Sequence, residues 1–155
     1  MRKKRNYTRE RKPDMKYGSV TLARFTNYLM EGGKRSTAER IIYDALDEVK
    51  AETKQEPLQV FEKALENAAP TVEVSTRRIG GANYQVPREV RIERKLMLAA
   101  RWIIQAARAK KGKPMAKKLA EEFITASKNE GAAIKKKQDT HRMAEANRAF
   151  AHFKF

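Results

Sequence analysis

A short segment of alternating strand formers, centred on two adjacent glycines, interrupts a chain that otherwise has the residue spacing of helices. The stretch from Val72 to Arg91 reads VEVSTRRIGGANYQVPREVR. Gly80 and Gly81 can both adopt the positive φ that a two-residue hairpin turn requires. Counting outwards from that turn places Arg77 opposite Tyr84. The segment is therefore predicted to be an antiparallel β-ribbon.

The two faces of this ribbon determine how much of it can pack on a helical core. One face carries Glu73, Ser75, Arg77 and Ile79 beside Ala82, Tyr84, Val86 and Arg88. The other carries Val72, Val74, Thr76 and Arg78 beside Asn83, Gln85, Pro87 and Glu89. A two-stranded ribbon is marginal on its own, and neither face is apolar throughout. The outer half is therefore expected to project.

The projecting half has the chemistry of a nucleic-acid-binding finger. It offers arginines for phosphates, an aromatic ring for stacking and amides for polar contacts, namely Arg77, Arg78, Arg88, Tyr84, Asn83 and Gln85. An ordinary solvated hairpin is the alternative. Exposed strand edges are normally blunted, which favours a partner that covers this one.

Apolar residues at helical spacing predict six helices around the ribbon. The first three run from about Val20 to Met30, from Ser36 onwards, and from Pro57 to just before Pro70. Ser19 is the predicted N-cap of the first, and Ser36 with Glu39 forms a predicted capping box for the second. The last three run from Ile92 to near Gly112, from Met115 to Ser127 and from Ala132 to Ala149. The predicted fold class is mainly α, a six-helix bundle with a protruding two-stranded antiparallel β-ribbon between helices three and four.

The length of 155 residues suits a single domain. We expect it to divide into a basic arm (1–18), helices one to three (19–70), the ribbon (71–91), helices four to six (92–149) and an aromatic tail (150–155). Residues 1–17 contain eight Lys or Arg against Glu10 and Asp14, which is typical of an arm and not of a core element. The three phenylalanines of the tail favour docking on a neighbouring protein or RNA, although packing back on the core is the alternative.

Charge is distributed unevenly along the chain. The formal net charge is +16, which favours a polyanionic partner. Eight acids and four bases lie between Glu39 and Glu66, whereas Arg94 to Lys118 contains nine bases and no acid. Within that run Arg94, Arg101 and Arg108 lie seven residues apart, on a different face from the predicted apolar stripe of Ile92, Leu96, Ala99, Ile103 and Ala107. A merely solvated basic face is the alternative, but the exclusion of acids favours binding of nucleic acid.

Several other classes of protein are disfavoured. There are no cysteines, which excludes disulfides and thiolate metal sites and fits an intracellular location. His141 and His152 are the only histidines, too few and too far apart for a metal cluster. The most apolar segment, LMLAARWII, is interrupted by Arg101 and is far too short to span a membrane. No pair of carboxylates has catalytic spacing, so we expect a protein that is not an enzyme and that binds no metal, cofactor or small-molecule ligand.

Five segments resemble one known family. They are GKRSTAERIIYDA (33–45), QEPLQVFEKALENAAP (55–70), RRIGGANYQVPREV (77–90), LAARWIIQAAR (98–108) and KKKQDTHRMAEANRAFAH (135–152). In this order they resemble ribosomal protein seven of the small subunit, in its bacterial-type form. The resemblance implies a six-helix bundle with a ribbon arm, binding to the 3′ major domain of small-subunit ribosomal RNA, early assembly of the head, and a position near the exit-site tRNA. It also implies contacts with neighbouring ribosomal proteins, including proteins nine and eleven, and a cytoplasmic ribosome, with a plastid ribosome left open.

Carried onto this chain, the resemblance assigns roles to individual residues. The residues expected to bind ribosomal RNA are Arg2, Lys3, Lys4, Arg5, Arg9, Arg11, Lys12, Lys34, Arg35, Arg77, Arg78, Arg91, Arg94, Lys95, Arg101, Arg108 and Lys113. Those expected to face tRNA are Asn83, Tyr84, Gln85, Arg88, Lys136, Lys137 and Arg142. Phe150, Phe153 and Phe155 are expected to contact a neighbouring protein. The alternative function is that of an architectural DNA-binding protein with a ribbon arm, although such arms insert an apolar wedge where this ribbon has Gly80 and Gly81.

Overall fold

The computed structural model describes residues 12–153. Within that range the helices are α1 (Val20–Leu29), α2 (Arg35–Thr53), α3 (Pro57–Ala68), α4 (Ile92–Ala109), α5 (Met115–Ser127) and α6 (Ala132–Ala146). Strands β1 (Val72–Ile79) and β2 (Ala82–Glu89) form the ribbon between α3 and α4, and a 3₁₀-helix (Arg148–Phe153) follows α6. The predicted fold class, a six-helix bundle with a two-stranded antiparallel ribbon between helices three and four, is confirmed.

The fifth helix occupies the middle of the bundle. It packs against α2, α3, α4 and α6, and its apolar residues Leu119, Ala120, Phe123 and Ala126 are buried. The Phe123 ring meets those of Phe25 and Phe61 edge to face, at centroid distances of 5.5 and 5.3 Å. Edge-to-face aromatic pairs of this kind add to the free energy of burial. The core is thus built around a short helix and not around the longer α2 or α4.

Two predicted features of the helices are confirmed and two are wrong. The Ser19 hydroxyl accepts a hydrogen bond from the Leu22 amide, and Pro57 lies in the first turn of α3, both as predicted. The capping box is wrong, because α2 begins at Arg35 and Ser36 already lies inside its first turn. Glu39 instead forms an ion pair with Arg35 one turn away. Ile92 is 84% exposed, so the apolar stripe of α4 begins only at Leu96.

The end of the predicted basic arm is also part of the folded core, contrary to expectation. Asp14 is buried, and its carboxylate accepts hydrogen bonds from the amides of Lys16 and Tyr17 and from the Tyr43 hydroxyl of α2. The Lys16 ammonium pairs with Asp47. Burial, followed by the Asp14 hydrogen bond, raises the pKa of Tyr43 to about 12. The buried Asp14 carboxylate and the Lys16–Asp47 pair therefore attach the end of the predicted arm to α2.

A second buried carboxylate joins α5 to α6. Glu122 is 1% exposed, its Oε1 accepts a hydrogen bond from the Ala133 amide, and its other oxygen lies 3.1 Å from Lys110 Nζ. A negative charge at the start of a helix is favourable because the first amides have no partner within the helix. Gly131 approaches so closely that a Cβ there would lie 3.1 Å from the Glu122 oxygen, at a φ of 99°.

Replacing Glu122 with alanine is expected to lower the free energy of unfolding by about 1–3 kcal/mol, because the buried Ala133 amide loses its acceptor. The measurement is a urea titration followed by circular dichroism. Glu121→Ala is the matched control, since Glu121 also pairs with Lys110 but is partly exposed, and exposed pairs contribute roughly 0–1 kcal/mol. Equal losses for the two variants would contradict the role assigned to Glu122.

Candidate nucleic-acid interface

The register of the ribbon is the one predicted. Arg77 lies opposite Tyr84, and Ile79 opposite Ala82 across the glycine turn. The base is packed, with Val86 4% exposed and Val90 also buried, whereas Thr76, Arg77 and Arg78 are exposed. The outer half of the ribbon therefore projects with two arginines on it, as expected from its mixed faces.

The base of the ribbon is held to α4 by one carboxylate. Glu73 of β1 is 8% exposed, and its two oxygens accept hydrogen bonds from Arg88 Nε of β2 at 2.9 Å and Arg94 Nε of α4 at 2.7 Å. Burial alone raises the pKa of Glu73, but the bonds from Arg94 and Arg88 outweigh it and lower the pKa below its ordinary value. We call these three residues the Glu73 clamp. Arg88 and Arg94, predicted as nucleic-acid ligands, both have a partner within the protein.

The aromatic residues of the ribbon and the tail also meet. The Tyr84 and Phe150 rings are tilted by 54° at a centroid distance of 5.2 Å, and the 3₁₀-helix packs on β2. Phe150 therefore lies against the residue expected to face tRNA, and its expected contact with a neighbouring protein stays a prediction. Asn83 and Gln85 flank Tyr84 and are exposed. The side chain of Phe153, and the whole of Phe155, lie outside the described residues.

Acids from elsewhere in the chain neutralise much of the acid-free run. Five of its nine bases form ion pairs: Arg94 with Glu73, Arg108 with Glu31, Lys110 with Glu121 and Glu122, Lys113 with Glu121, and Lys117 with Glu48. Arg108 also donates a hydrogen bond to the Leu29 carbonyl. The other four bases, Lys95, Arg101, Lys111 and Lys118, take part in none of the ion pairs found between residues 12 and 153. An acid-free stretch of sequence is thus not an acid-free surface.

The cations predicted to bind RNA therefore fall into two groups. Those without a carboxylate partner in the part of the chain that the structure describes are Lys12, Lys34, Arg77, Arg78, Arg91, Lys95 and Arg101. Those paired within the protein are Arg35, Arg94, Arg108 and Lys113. The remaining six, Arg2, Lys3, Lys4, Arg5, Arg9 and Arg11, precede the described residues.

Two predicted residues from distant parts of the chain line one groove. Lys34 precedes α2 and Arg108 ends α4, and both border an open groove of about 480 Å³. Its other lining residues include Leu29, Ile41 and Met115. Glu31 also lines the groove and pairs with Arg108, so Lys34 is the lining cation that has no carboxylate partner in the described range. A nucleotide on the apolar floor could place its phosphate near Lys34 and the amides that begin α2.

Two polar contacts hold the sixth helix, one to the end of α3 and one to the residue that precedes β1. Lys137 Nζ donates to the Asn67 carbonyl at 2.7 Å, and the Thr71 amide donates to His141 Nε2 at 3.1 Å. Burial lowers the pKa of Lys137, and burial followed by the nearby Lys137 charge lowers the pKa of His141. Lys137 was expected to face tRNA and is used inside the protein. Lys136 and Arg142 are exposed on the same helix.

Sequence reasoning overlooked the carboxylates that position these cations. On sequence alone, Asp14 is placed in the basic arm and Glu73 on one face of the ribbon, and Glu122 is not singled out. For Glu73 a signal was available, because the predicted register already placed it opposite Arg88. No comparable signal exists for Asp14 or Glu122, whose partners lie 29 and 11 residues away.

No group of three or more His, Cys, Asp or Glu side chains suited to a metal ion is found among residues 12–153. Over the same range, no helix is both long and apolar enough to cross a membrane.

A basic helical bundle with a projecting arginine-bearing ribbon defines a class, that of proteins that bind a polyanion. Comparison with known proteins specifies the class further. The family described as Ribosomal protein S7p/S5e matches residues 1–148. The "Small ribosomal subunit protein uS7" of Thermotoga petrophila is 55% identical over 155 residues, covering all of both chains. Proteins of the same name from Cellvibrio japonicus and Xanthobacter autotrophicus are 56% and 57% identical over 147 residues, covering 95% of this chain and 94% of each relative.

The chain belongs to the ribosomal protein S7p/S5e family. It is a structural and non-enzymatic component of the small ribosomal subunit.

Proposed function

We propose that this protein is a primary binder of ribosomal RNA, which recognises the 3′ major domain of the small-subunit RNA and nucleates assembly of the head. The observation that carries the proposal is the separation of the cations into paired and unpaired groups. The unpaired ones lie on the ribbon tip (Arg77, Arg78), at the start and middle of α4 (Arg91, Lys95, Arg101), and near the groove (Lys34).

This arrangement suits an RNA more than a random polyanion. The internal ion pairs fix the direction of the ribbon and the ends of α4, so the unpaired cations are presented on elements of defined geometry. Phosphate contacts from cations at defined positions fix how the protein is placed along the RNA. Exposed side-chain amides such as those of Asn83 and Gln85 can form hydrogen bonds with unpaired bases. The part of the basic arm (1–18) that precedes Asp14 would add further phosphate contacts.

The same proposal places the ribbon and α6 near the exit-site tRNA. Lys136 and Arg142 of α6 are exposed, and α6 packs against both strands of the ribbon. A tRNA backbone lying along this side would meet charges from both elements. Contacts with neighbouring small-subunit proteins, including proteins nine and eleven, would involve the tail beyond Phe150. The location would be the ribosome of the cytoplasm.

The test is a competition experiment at stated salt concentration. Labelled 3′ major domain RNA is bound to the full chain and challenged with excess duplex DNA, and in a second arm with an unrelated ribosomal RNA domain of equal length. We expect the complex to survive both competitors, because positioned contacts add to the charge interaction that all polyanions share. Displacement by DNA would favour the architectural DNA-binding alternative, and displacement by the unrelated RNA would reduce the function to non-specific binding.

A further inference from the structure

The Glu73 clamp couples the ribbon to α4 through one buried carboxylate. The ribbon forms no continuous apolar face, and its packed base lies against α6 and the 3₁₀-helix rather than against α4. β1 and β2 pack on α6 and the 3₁₀-helix, but toward α4 the link among described polar contacts is the pair between Glu73 and Arg94. Because Glu73 also accepts a hydrogen bond from Arg88 on β2, the same carboxylate joins both strands to the helix.

The charges in the clamp are not explained by stability alone. Only the carboxylate of the clamp is buried, whereas Arg88 and Arg94 are partly exposed. A buried carboxylate needs compensating partners, and an apolar residue in its place often gives equal stability. Buried ionic groups do, however, impose a specific geometry, since a hydrogen-bonded carboxylate accepts its donors in a limited set of directions. Such a hydrogen-bonded carboxylate can therefore keep the tip of the ribbon in a defined position relative to α4.

We propose that Glu73 is a positioning residue for RNA recognition: it holds the ribbon at a fixed angle to α4, and Arg94 contributes by holding Glu73 and not by contacting phosphate. The proposal rests on the proposed function, because the ribbon tip is taken to contact ribosomal RNA. It deepens that function by assigning to an acidic residue, and to an arginine predicted as an RNA ligand, a role inside the protein.

The direction in which Glu73→Gln changes the affinity for RNA distinguishes a positioning role from a purely electrostatic one. Glu73→Gln removes a negative charge, so simple attraction to RNA predicts equal or tighter binding. Positioning predicts weaker binding, since Arg88 and Arg94 donate to different oxygens of Glu73, and glutamine would present an NH₂ group, itself a donor, to one of the two guanidinium groups. We expect affinity for the 3′ major domain RNA to fall about tenfold, as for a ribbon that adopts the bound orientation about a tenth of the time.

Two controls make the result specific. Glu89→Gln removes the same charge from the same ribbon, at an exposed residue that joins none of the ion pairs among residues 12–153, and should bind equally or more tightly. A short-ribbon variant, in which an Asn-Gly turn joins Ser75 directly to Val86, lacks the tip. In that background Glu73→Gln should have no effect on affinity or a slightly favourable one, because there is no tip left to position.

A measurement without RNA tests the clamp independently. The chain has no cysteine, so two can be introduced for spin labels at the exposed residues Ala82 on the ribbon and Gln105 on α4. The distance distribution between the labels should be narrow in the parent and with Glu89→Gln, and should broaden with Glu73→Gln. Circular dichroism and melting confirm that each variant is folded.

Each outcome decides the proposal. Equal or tighter RNA binding by Glu73→Gln, an equal loss in the short-ribbon background, or an unchanged label distribution would each overturn it. A parent protein that fails to select the 3′ major domain RNA would instead overturn the proposed function, while the label distances would still decide whether Glu73 holds the ribbon.

Discussion

Affinity for ribosomal RNA is expected to fall roughly a thousandfold between 50 and 200 mM salt, if about six phosphates are neutralised and their counterions released. The seven predicted RNA-binding cations that have no carboxylate partner in the described range are sufficient in number for that effect. The dissociation constant is measured by filter binding or fluorescence at four or five salt concentrations, and the slope of the logarithmic plot gives the number of phosphates contacted. A nearly flat plot would contradict an interface based on phosphate contacts.

Single substitutions on α4 show which arginines contribute to that slope. Arg101→Ala should reduce it by about one, because Arg101 is exposed and unpaired over the described range. Arg108→Ala is the matched control on the same helix, since Arg108 is held by Glu31 and the Leu29 carbonyl. Its removal can weaken binding but should leave the slope unchanged. The reverse pattern would show that the internal ion pairs break when RNA binds.

The short-ribbon variant is expected to lose about a hundredfold or more in affinity for ribosomal RNA while remaining folded. Two arginines are removed together with Tyr84, and base stacking alone is worth roughly 1–3 kcal/mol for each base. Ser75 and Val86 are paired, and an even number of residues separates each from the native turn, so the new turn keeps the register. Val86 is retained because it is buried.

The melting temperature of this variant should change by only a few degrees. Shortening a projecting loop alters the closure free energy by about 0.6 kcal/mol for each halving of its length, which corresponds to a small shift in a domain of this size. The contact between Tyr84 and Phe150 is also lost. The double variant Arg77→Ala with Arg78→Ala, in a ribbon of full length, shows how much of the loss in RNA affinity comes from the two charges and how much from the rest of the ribbon tip. A shift of about ten degrees or more with unchanged affinity would make the ribbon tip a core element.

The elements of this fold were predictable because each depends on local spacing. Gly80 and Gly81 identified the turn, and the apolar period identified six helices to within a few residues. The division into domain segments, and the role of each cation, stay predictions. The capping box was wrong although Ser36 and Glu39 have the right spacing for one. The helix α2 begins one residue earlier, at Arg35, so Ser36 lies within the helix and not at its cap.

What could not be predicted was the pairing between distant charges. Sequence shows that Arg94 to Lys118 lacks acids, but not that Glu31, Glu48 and Glu73 are brought against that run by α1, α2 and β1. The attachment of Asp14 to Tyr43 has the same origin, since it depends on how the helices pack. Residue spacing predicts helices and strands, whereas ion pairs between them depend on tertiary structure.

The central position of α5 determines how the free protein should respond to a binding partner. The helix α5 contacts α2 and α3 from the first half of the chain and α4 and α6 from the second half. If either half unfolds, α5 loses part of its packing, so the other half does not keep a complete core. Slow amide exchange in α5 should then report on global unfolding only, as in cooperative single domains. Any RNA bound to the ribbon or to α4 would consequently slow exchange throughout the bundle, including in α2 and α3, where the acids lie.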